Sequence, residues 1–365
     1  MSVLHHEWIK TQSGHTILSL TLNAERSLNA LNLAMVEQIR PLLKQAAANQ
    51  ECVAIFIDSA GEKAFCAGGD VVSLHDAIQK GDIAFCETYF EQEYRLDYEL
   101  HTFPKPVITW GSGIVMGGGM GLLTSSSHPV VTETSMLAMP EITIALYPDV
   151  GASWFLNRLP EQIGLFLALT GARLNAMDAL GLGLSSYALN ASQKEALIQG
   201  LSLADWTTDD ASTVVNSVLK KLSKVCDASL FKASDIHTHW ADIQTLLTQN
   251  TRLEQFLALA QYQGESAFLQ RASRTFKAGS PLSAHVIAEQ LARCRTLSLK
   301  EVFELELALS VQCCAIGEFA EGVRALLVDK DGQPHWRDAD WSEVDASAIE
   351  RMLATPFDVN PLNDL

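Results

Sequence analysis

The stretch KPVITWGSGIVMGGGMG, residues 105–121, determines how the rest of the chain is interpreted. A short apolar run at residues 107–110 ends in a segment that holds six glycines, namely Gly111, Gly113, Gly117, Gly118, Gly119 and Gly121. This pattern predicts a strand, a glycine loop and a helix that begins at Leu122. Such a loop lets the backbone approach a ligand and directs unpaired N–H groups at it. The pattern therefore predicts a site for developing negative charge.

Two acidic residues follow in MPEITIALYPDVGA, residues 139–152. Glu141 and Asp149 each come directly after a proline. Glu141 ends an apolar patch, a setting that desolvates a carboxylate and raises its pKa toward that of a useful general base. Structural alternatives stay open for both, because Glu141 also suits a turn or a helix start and Asp149 also suits a cap for a helix from Ala152.

A second glycine segment, KAFCAGGDVV at residues 63–72, precedes another predicted helix. Acyl transfer at a carbonyl needs two donors that point at one oxygen, and Gly69 and Gly118 are candidates for that pair. The alternative is that these glycines serve tight turns or close packing. A dinucleotide-binding fingerprint is excluded, because its third glycine would fall on Met116 or Thr124.

Composition limits the partners. The chain has 365 residues, 48% of them hydrophobic, which is enough for a sizeable core in one or two domains. Its net charge of −17 and pI near 4.9 argue against non-specific binding to nucleic acid or to an anionic membrane. Any anionic ligand must therefore meet local cations.

The seven cysteines form no C-x-x-C pair and no zinc-type spacing with the histidines. We therefore expect no metal site and a reducing compartment. The opening residues, MSVLHHEWIKTQSG, have neither an apolar core region nor an Arg-rich amphipathic pattern. We expect no signal or transit peptide, and a cytoplasmic location if the source is bacterial.

The first half of the chain alternates strand and helix. Residues 15–22 alternate apolar and polar side chains as a strand does, Asn32 is a plausible helix N-cap, and residues 53–57 are continuously apolar. From Asn190 onward the pattern is all-helical. Two S-x-x-E sequences predict helix-starting capping boxes there, Ser192 with Glu195 and Ser298 with Glu301.

Four segments resemble, in order, the characteristic segments of the enoyl-CoA hydratase/isomerase (crotonase) superfamily: residues 63–70, 113–119, 139–141 and 169–179. The resemblance implies an α/β fold, a spiral of ββα turns with a helical C-terminal region. It also implies an acyl-CoA substrate whose thioester carbonyl is held by the N–H groups of Gly69 and Gly118. The adenine would rest near the backbone of Lys63, Ala64 and Phe65.

The resemblance is closest to the 3-hydroxyisobutyryl-CoA hydrolase branch of that superfamily. Hydratases carry their first catalytic glutamate where this chain has Gly121, which has no side chain. The remaining acids, Glu141 and Asp149, look like those of the hydrolases, as does Glu93. Further similar segments are residues 147–151, 280–283, 319–325, 329–331 and 334–336.

This branch implies hydrolysis of a short 3-hydroxyacyl-CoA, most simply 3-hydroxyisobutyryl-CoA to 3-hydroxyisobutyrate and CoA in valine catabolism. Glu141 would attack the thioester or activate water, and Asp149 would orient the acyl hydroxyl, the water or Glu141. Glu93 would shape the acyl pocket, and Arg26 and Lys63 are candidate cations for the CoA phosphates. No cofactor is expected, because CoA is part of the substrate.

Two other functions stay open: an enoyl- or dienoyl-CoA isomerase or hydratase, and a non-catalytic acyl-CoA-binding member. The predicted organisation is a spiral core with the CoA-thioester site at residues 1–190, a helical insert at 191–279, and a C-terminal helical region at 280–365 that completes the fold. Members of the superfamily often form trimers, so a homo-oligomer is among the assemblies that the resemblance allows.

Overall fold

The computed structural model describes residues 2–160, 162–316 and 318–365. Within these ranges the chain forms nine strands: β1 (Leu4–Lys10), β2 (Thr16–Leu22), β3 (Cys52–Ser59), β4 (Ala64–Cys66), β5 (Val107–Gly111), β6 (Ile114–Met116), β7 (His128–Thr132), β8 (Met136–Ala138) and β9 (Tyr187–Leu189). The helices that precede or interrupt the strands are α1 (Leu33–Ala48), α2 (Val71–Gln79), α3 (Ile83–His101), α4 (Gly118–Thr124), α5 (Ala152–Leu156), α6 (Ile163–Thr170) and α7 (Ala176–Gly181).

After β9 the described residues form only helices and turns. The α-helices there are α8 (Lys194–Leu203), α9 (Ala211–Ser223), α10 (Asp235–Thr238), α11 (Trp240–Leu247), α12 (Arg252–Ala260), α13 (Ala267–Ala278), α14 (Pro281–Cys294), α15 (Leu299–Ile316), α16 (Glu318–Val323) and α17 (Ala346–Leu353). The all-helical pattern predicted from Asn190 onward is therefore confirmed for the part of the chain that the structure describes.

Two sheets carry the strands. One has six strands in the order β1-β2-β3-β5-β7-β9, and the other has three in the order β4-β6-β8. β1 runs antiparallel to β2, and the other neighbours in the large sheet are parallel. From β3 to β8 a strand of the large sheet is followed by a strand of the small one, in the pairs β3-β4, β5-β6 and β7-β8. This is the predicted spiral of β-strand pairs and helices.

Two helix starts, those of α1 and α4, were predicted from the sequence. Asn32 caps α1 as expected, since its side chain accepts a hydrogen bond from the N–H of Met35 at 2.9 Å. The predicted helix start at Leu122 is wrong, because α4 already begins at Gly118. A Cβ on Gly119 would lie 2.3 Å from the carbonyl oxygen of Cys66. Glycine is therefore needed here for close contact between α4 and β4, although it weakens a helix elsewhere.

The two predicted capping boxes had different outcomes. Ser298 and Glu301 form the expected reciprocal pair at the start of α15. The prediction of a capping box at Ser192 and Glu195 is wrong, because Asn190 and Gln193 form the capping box instead. The chain turns immediately after β9 ends at Leu189, so the first polar side chain of the turn takes the capping role.

The described residues divide into two compact units. Unit 1 comprises Met1–Gly69, Leu96–Leu137 and Leu174–Ser234, and unit 2 comprises Asp70–Arg95, Ala138–Arg173 and Asp235–Leu365. The division into ranges 1–190, 191–279 and 280–365 stays a prediction. No described helix has the length and apolar character required to cross a membrane.

Unit 1 has its own hydrophobic core. Phe56 and Trp110 of the large sheet belong to one buried cluster with Leu197 of α8 and Val215 and Leu219 of α9. Helices α8 and α9, in the first part of the predicted insert, therefore pack on the sheet and bury apolar surface that would otherwise face water.

Candidate active site

Gly69 and Gly118 occupy equivalent places after two paired strands of unit 1. β4 and β6 run parallel, and Cys66 lies opposite Val115. Each glycine comes three residues after its member of that pair. Because strands in parallel register end at the same edge of a sheet, the structure places both glycines at that edge.

The position of each glycine decides which acceptors its backbone N–H group can reach. The carbonyl oxygen of Gly68 accepts a hydrogen bond from the N–H of Leu31 at 2.8 Å. In a trans peptide the C=O and the next N–H point in opposite directions, so the N–H of Gly69 points away from Leu31. Gly118 is the first residue of α4, and a first-turn N–H has no acceptor within its own helix.

Close packing explains other glycines in the same loop. Gly113 has a φ of 75°, and a Cβ there would lie 2.5 Å from the carbonyl oxygen of Lys63. Together with Gly119 against Cys66, this contact fixes the loop beside β4. The packing alternative raised by the sequence is therefore correct for Gly113 and Gly119, and the donor role of Gly69 and Gly118 stays a prediction.

The predicted CoA-binding residues of unit 1 lie in two segments, the 3-10 helix Glu25–Ser27 and the start of β4. Arg26 and Lys63 are exposed, whereas Ala64 and Phe65 are buried in β4. Asn29, which the sequence analysis missed, joins these two segments. Its side-chain amide donates to the carbonyl oxygens of Ala60 and Ala64 at 2.9 Å each, and its side-chain oxygen accepts from the N–H of Ala24 at 2.8 Å.

Glu141 lies in unit 2 as the first residue of the 3-10 helix Glu141–Ile144. The residue is only 5% exposed, and its Oε2 has no hydrogen-bond partner among the described residues. Burial raises the pKa of this carboxyl group well above its usual range, and the charges of Asp149 and Glu93 add to the effect. A buried carboxylate with an unused oxygen and a raised pKa is suited to accept a proton or to attack a carbonyl.

Asp149 does not cap α5. The N-cap of that helix is Gly151, which makes no side-chain cap hydrogen bond, so the structural alternative for Asp149 is wrong. Instead, the carboxylate of Asp149 accepts a hydrogen bond from the hydroxyl of Tyr94 at 2.7 Å. Burial raises the pKa of Asp149 to about 6, and the bond from Tyr94 opposes that rise.

Glu93, one residue before Tyr94 on α3, completes an acidic group in unit 2. It is 2% exposed, and its pKa is raised well above normal by burial and by the charge of Asp149. The three acids thus act on one another electrostatically. Like charges in a buried site cannot all ionise easily, so the group titrates as a coupled set whose pKa values are raised.

The polar residues around Asp149 come from a distant part of the sequence. Ser310, on α15, lies 2.6 Å from the hydroxyls of both Tyr94 and Tyr147. The carboxylate of Glu306, one turn earlier on the same helix, accepts hydrogen bonds from the N–H of Gly151 at 2.8 Å and of Ser153 at 3.1 Å. Burial raises the pKa of Glu306 to about 8.

The sequence analysis missed these supporting residues. Tyr147 was quoted as part of a matching segment without a role, and nothing local to Ser310 or Glu306 links them to residues about 150 positions earlier. Within the described ranges, no cluster of three or more His, Cys, Asp and Glu side chains is arranged to hold a metal ion.

The chain is similar in sequence and in fold to proteins of known family. A family model for enoyl-CoA hydratase/isomerase matches residues 17–353. The chain belongs to this family. Two solved structures of similar proteins share its fold over nearly the whole chain. An enoyl-CoA hydratase from Rhodobacter sphaeroides is 30% identical with a TM-score of 0.83, covering 97% of this chain and 98% of its own. A carnitinyl-CoA dehydratase from Mycobacterium thermoresistibile is 28% identical with a TM-score of 0.85, covering 99% and 98%.

Curated relatives in this family carry a more specific name. The mitochondrial 3-hydroxyisobutyryl-CoA hydrolase of Gallus gallus is 36% identical over 343 residues, covering 94% of this chain and 87% of that protein. The Homo sapiens protein of the same name is 36% identical over 325 residues, covering 89% and 83%. The Danio rerio protein is 32% identical over 363 residues, covering 96% and 93%.

Proposed function

We propose that this chain is an acyl-CoA thioester hydrolase that converts 3-hydroxyisobutyryl-CoA and water to 3-hydroxyisobutyrate and CoA, a step of valine catabolism. The family fold supports several reactions, so the fold alone does not select among them. The observation that carries the proposal is the pair Glu141 and Asp149, both buried and electrostatically coupled, in a chain that has glycine at position 121. The curated relatives with the hydrolase name support the same choice.

In the proposed reaction, two backbone N–H groups hold the thioester. The N–H groups of Gly69 and Gly118 bind the thioester carbonyl oxygen and stabilise the negative charge that develops on it. Their equivalent places after the paired strands β4 and β6 support this role. Loss of one such donor typically costs about a hundred- to a thousandfold in rate.

The acids act on the reacting groups. Glu141 attacks the thioester carbon or removes a proton from the attacking water, and its buried, unpaired Oε2 supports either action. Asp149 orients the acyl hydroxyl, the water or Glu141. Glu93 shapes the acyl pocket, and its electrostatic contact with Asp149 supports that role.

The CoA part of the substrate is bound by unit 1. The backbone of Lys63, Ala64 and Phe65 lies against the adenine, and Arg26 and Lys63 attract the phosphates. The reaction needs no other cofactor, because water is the second substrate.

The odd number of cysteines, seven, without C-x-x-C or zinc-type spacing supports a reducing compartment, which is the cytoplasm if the source is bacterial.

Hydration and isomerisation are the competing activities. Hydration in this family uses two glutamates, and this chain lacks the first, because Gly121 stands at that position and has no side chain. Isomerisation uses the same fold, but it leaves the thioester intact. Release of free CoA thiol therefore separates hydrolysis from both alternatives and from a binding protein without activity.

A thiol-release assay over a panel of acyl-CoAs tests the proposal. We expect the highest kcat/KM for 3-hydroxyisobutyryl-CoA, lower values for other short 3-hydroxyacyl-CoAs, and little release from straight-chain acyl-CoAs without the hydroxyl. Release from none of the panel, or double-bond migration in a dienoyl-CoA without thiol release, would rule out the proposed function.

A further inference from the structure

The backbone directly after Asp149 forms a strained turn in unit 2. Val150 has a φ of 54° and Gly151 has a φ of 81°, so two consecutive residues adopt the left-handed conformation. Glycine tolerates this conformation, whereas the β-branched side chain of Val150 makes it unfavourable. A residue stays in such a conformation only where the surrounding structure enforces it. The turn therefore needs support from another part of the chain.

Glu306, on α15, supports the turn on its C-terminal side. One carboxylate oxygen of Glu306 accepts a hydrogen bond from the N–H of Gly151 at 2.8 Å, and the other accepts from the N–H of Ser153 at 3.1 Å. These N–H groups lie at the start of α5, whose N-cap Gly151 has no side chain that could accept them. The Glu306 carboxylate thus takes the role of the missing cap.

The same residue holds the chain on the other side of Asp149. The hydroxyl of Tyr147 donates a hydrogen bond to the backbone carbonyl oxygen of Glu306 at 2.5 Å. Tyr147 and Gly151 are each two residues from Asp149, so Glu306 binds the chain both before and after it. Tyr147 and Glu306 are fully buried, and water therefore does not compete for these bonds.

We propose that Glu306 is a positioning residue for the hydrolysis reaction, and that it acts by fixing the backbone turn that carries Asp149. This inference rests on the proposed function. Both carboxylate oxygens of Glu306 are used by the turn, whereas Glu141 keeps one oxygen without a partner among the described residues. Glu306 therefore acts through Asp149, and a turn that relaxed at Val150 would point the Asp149 carboxylate in another direction.

The Glu306→Gln variant tests this role. Glutamine keeps the length of the side chain but replaces one acceptor oxygen with an NH₂ donor, so one of the two bonds from the turn is lost. We expect kcat to fall about three- to thirtyfold while KM changes less than about threefold. Asp178→Asn is the control and should leave kcat unchanged, because it alters another buried carboxylate that accepts a backbone N–H, that of Asn175 at the start of α7.

The same substitution in an Asp149→Asn protein tests whether Glu306 acts through Asp149. Two residues that act through one contact have non-additive effects, so Glu306→Gln should lower kcat less than about twofold in that background. An equal fold decrease in both backgrounds would overturn the proposed route. A folded Glu306→Gln protein with the kcat of the wild type would overturn the role itself.

Amide hydrogen exchange tests the hold on the turn without activity. In Glu306→Gln the amides of Gly151 and Ser153 should exchange at least about tenfold faster, while the amides of α7 exchange as in the wild type. Unchanged exchange at both positions would overturn the inference even if the wild-type protein releases thiol. Faster exchange in a protein whose wild type releases no thiol would reject the proposed function and support the hold of Glu306 on the turn.

Discussion

At the residue scale, the acids of unit 2 are held at a cost in folding free energy. Asp149, Glu93 and Glu141 all have pKa values above their usual ranges, and burial is the first cause for each. A carboxyl group that resists ionisation destabilises the folded state at neutral pH. Such a cost is typical of residues retained for chemistry rather than for packing.

The Asp149→Asn variant is expected to make the protein more stable at high pH. The pKa of Asp149 is about 6 in the folded protein and 3.8 in the reference state, so the folded protein holds the proton more tightly between these values. The free energy of unfolding therefore falls as pH rises through this window. The gain from Asp149→Asn should be near zero at pH 3 and about 2 to 3 kcal/mol at pH 8.

Urea unfolding at several pH values measures this difference. The side-chain oxygen of asparagine still accepts the hydrogen bond from the Tyr94 hydroxyl, and asparagine has nearly the same size as aspartate, so the packing around position 149 is conserved. Asp209→Asn, at an exposed acid, serves as the control and should show no such trend. A gain that is independent of pH would contradict the raised pKa.

At the element scale, the decisive feature is the contact between α4 and β4. Parallel pairing of β4 and β6 sets Gly69 and Gly118 side by side, and Gly119 allows the helix to approach the strand. The glycines near this contact therefore differ: Gly119 permits the approach, and we propose that Gly69 and Gly118 present their N–H groups to the substrate. The sequence analysis could not divide them, because the division depends on which atoms face each glycine.

Gly119→Ala should disturb this contact. Its Cβ would lie 2.3 Å from the carbonyl oxygen of Cys66, so α4 must shift and move Gly118 with it. We expect a loss of about 1 to 3 kcal/mol in stability and a kcat lower by at least about tenfold.

Gly181→Ala is the matched control for this variant. Gly181 is also a helical glycine of unit 1, but a Cβ there meets nothing within 4 Å. This control should be neutral or slightly stabilising. Equal changes in melting temperature and in kcat for the two variants would contradict the claim that Gly119 is needed for the contact between α4 and β4.

At the scale of the whole molecule, the local sequence predicted part of the structure well. The strand periods, the Asn32 cap and the Ser298–Glu301 capping box depend on neighbouring residues, and all are confirmed. The family resemblance supplied the spiral. Contacts between distant segments were not predictable, since the bonds of Ser310 to Tyr94 and of Asn29 to Ala64 arise only when the fold is complete.

The charge of the whole molecule gives a further prediction. A chain with a net charge of −17 must bind the anionic CoA through local cations, for which we propose Arg26 and Lys63. The double variant Arg26→Gln with Lys63→Gln should raise KM for the acyl-CoA by about three- to tenfold at low salt with little change in kcat, because exposed ion pairs are weak and screened. A thioester of pantetheine, which has no phosphate, is the control and should show no change. An equal KM increase for both substrates would contradict the phosphate contacts.

The central claim is that Glu141 carries out the hydrolysis of 3-hydroxyisobutyryl-CoA. The most direct test is the rate of CoA thiol release from that substrate by the wild-type protein and by Glu141→Gln, with thermal unfolding to verify that the variant folds. The account predicts thiol release by the wild type and a kcat at least about a hundredfold lower in the variant. A folded Glu141→Gln protein that retained full thioesterase activity would contradict it.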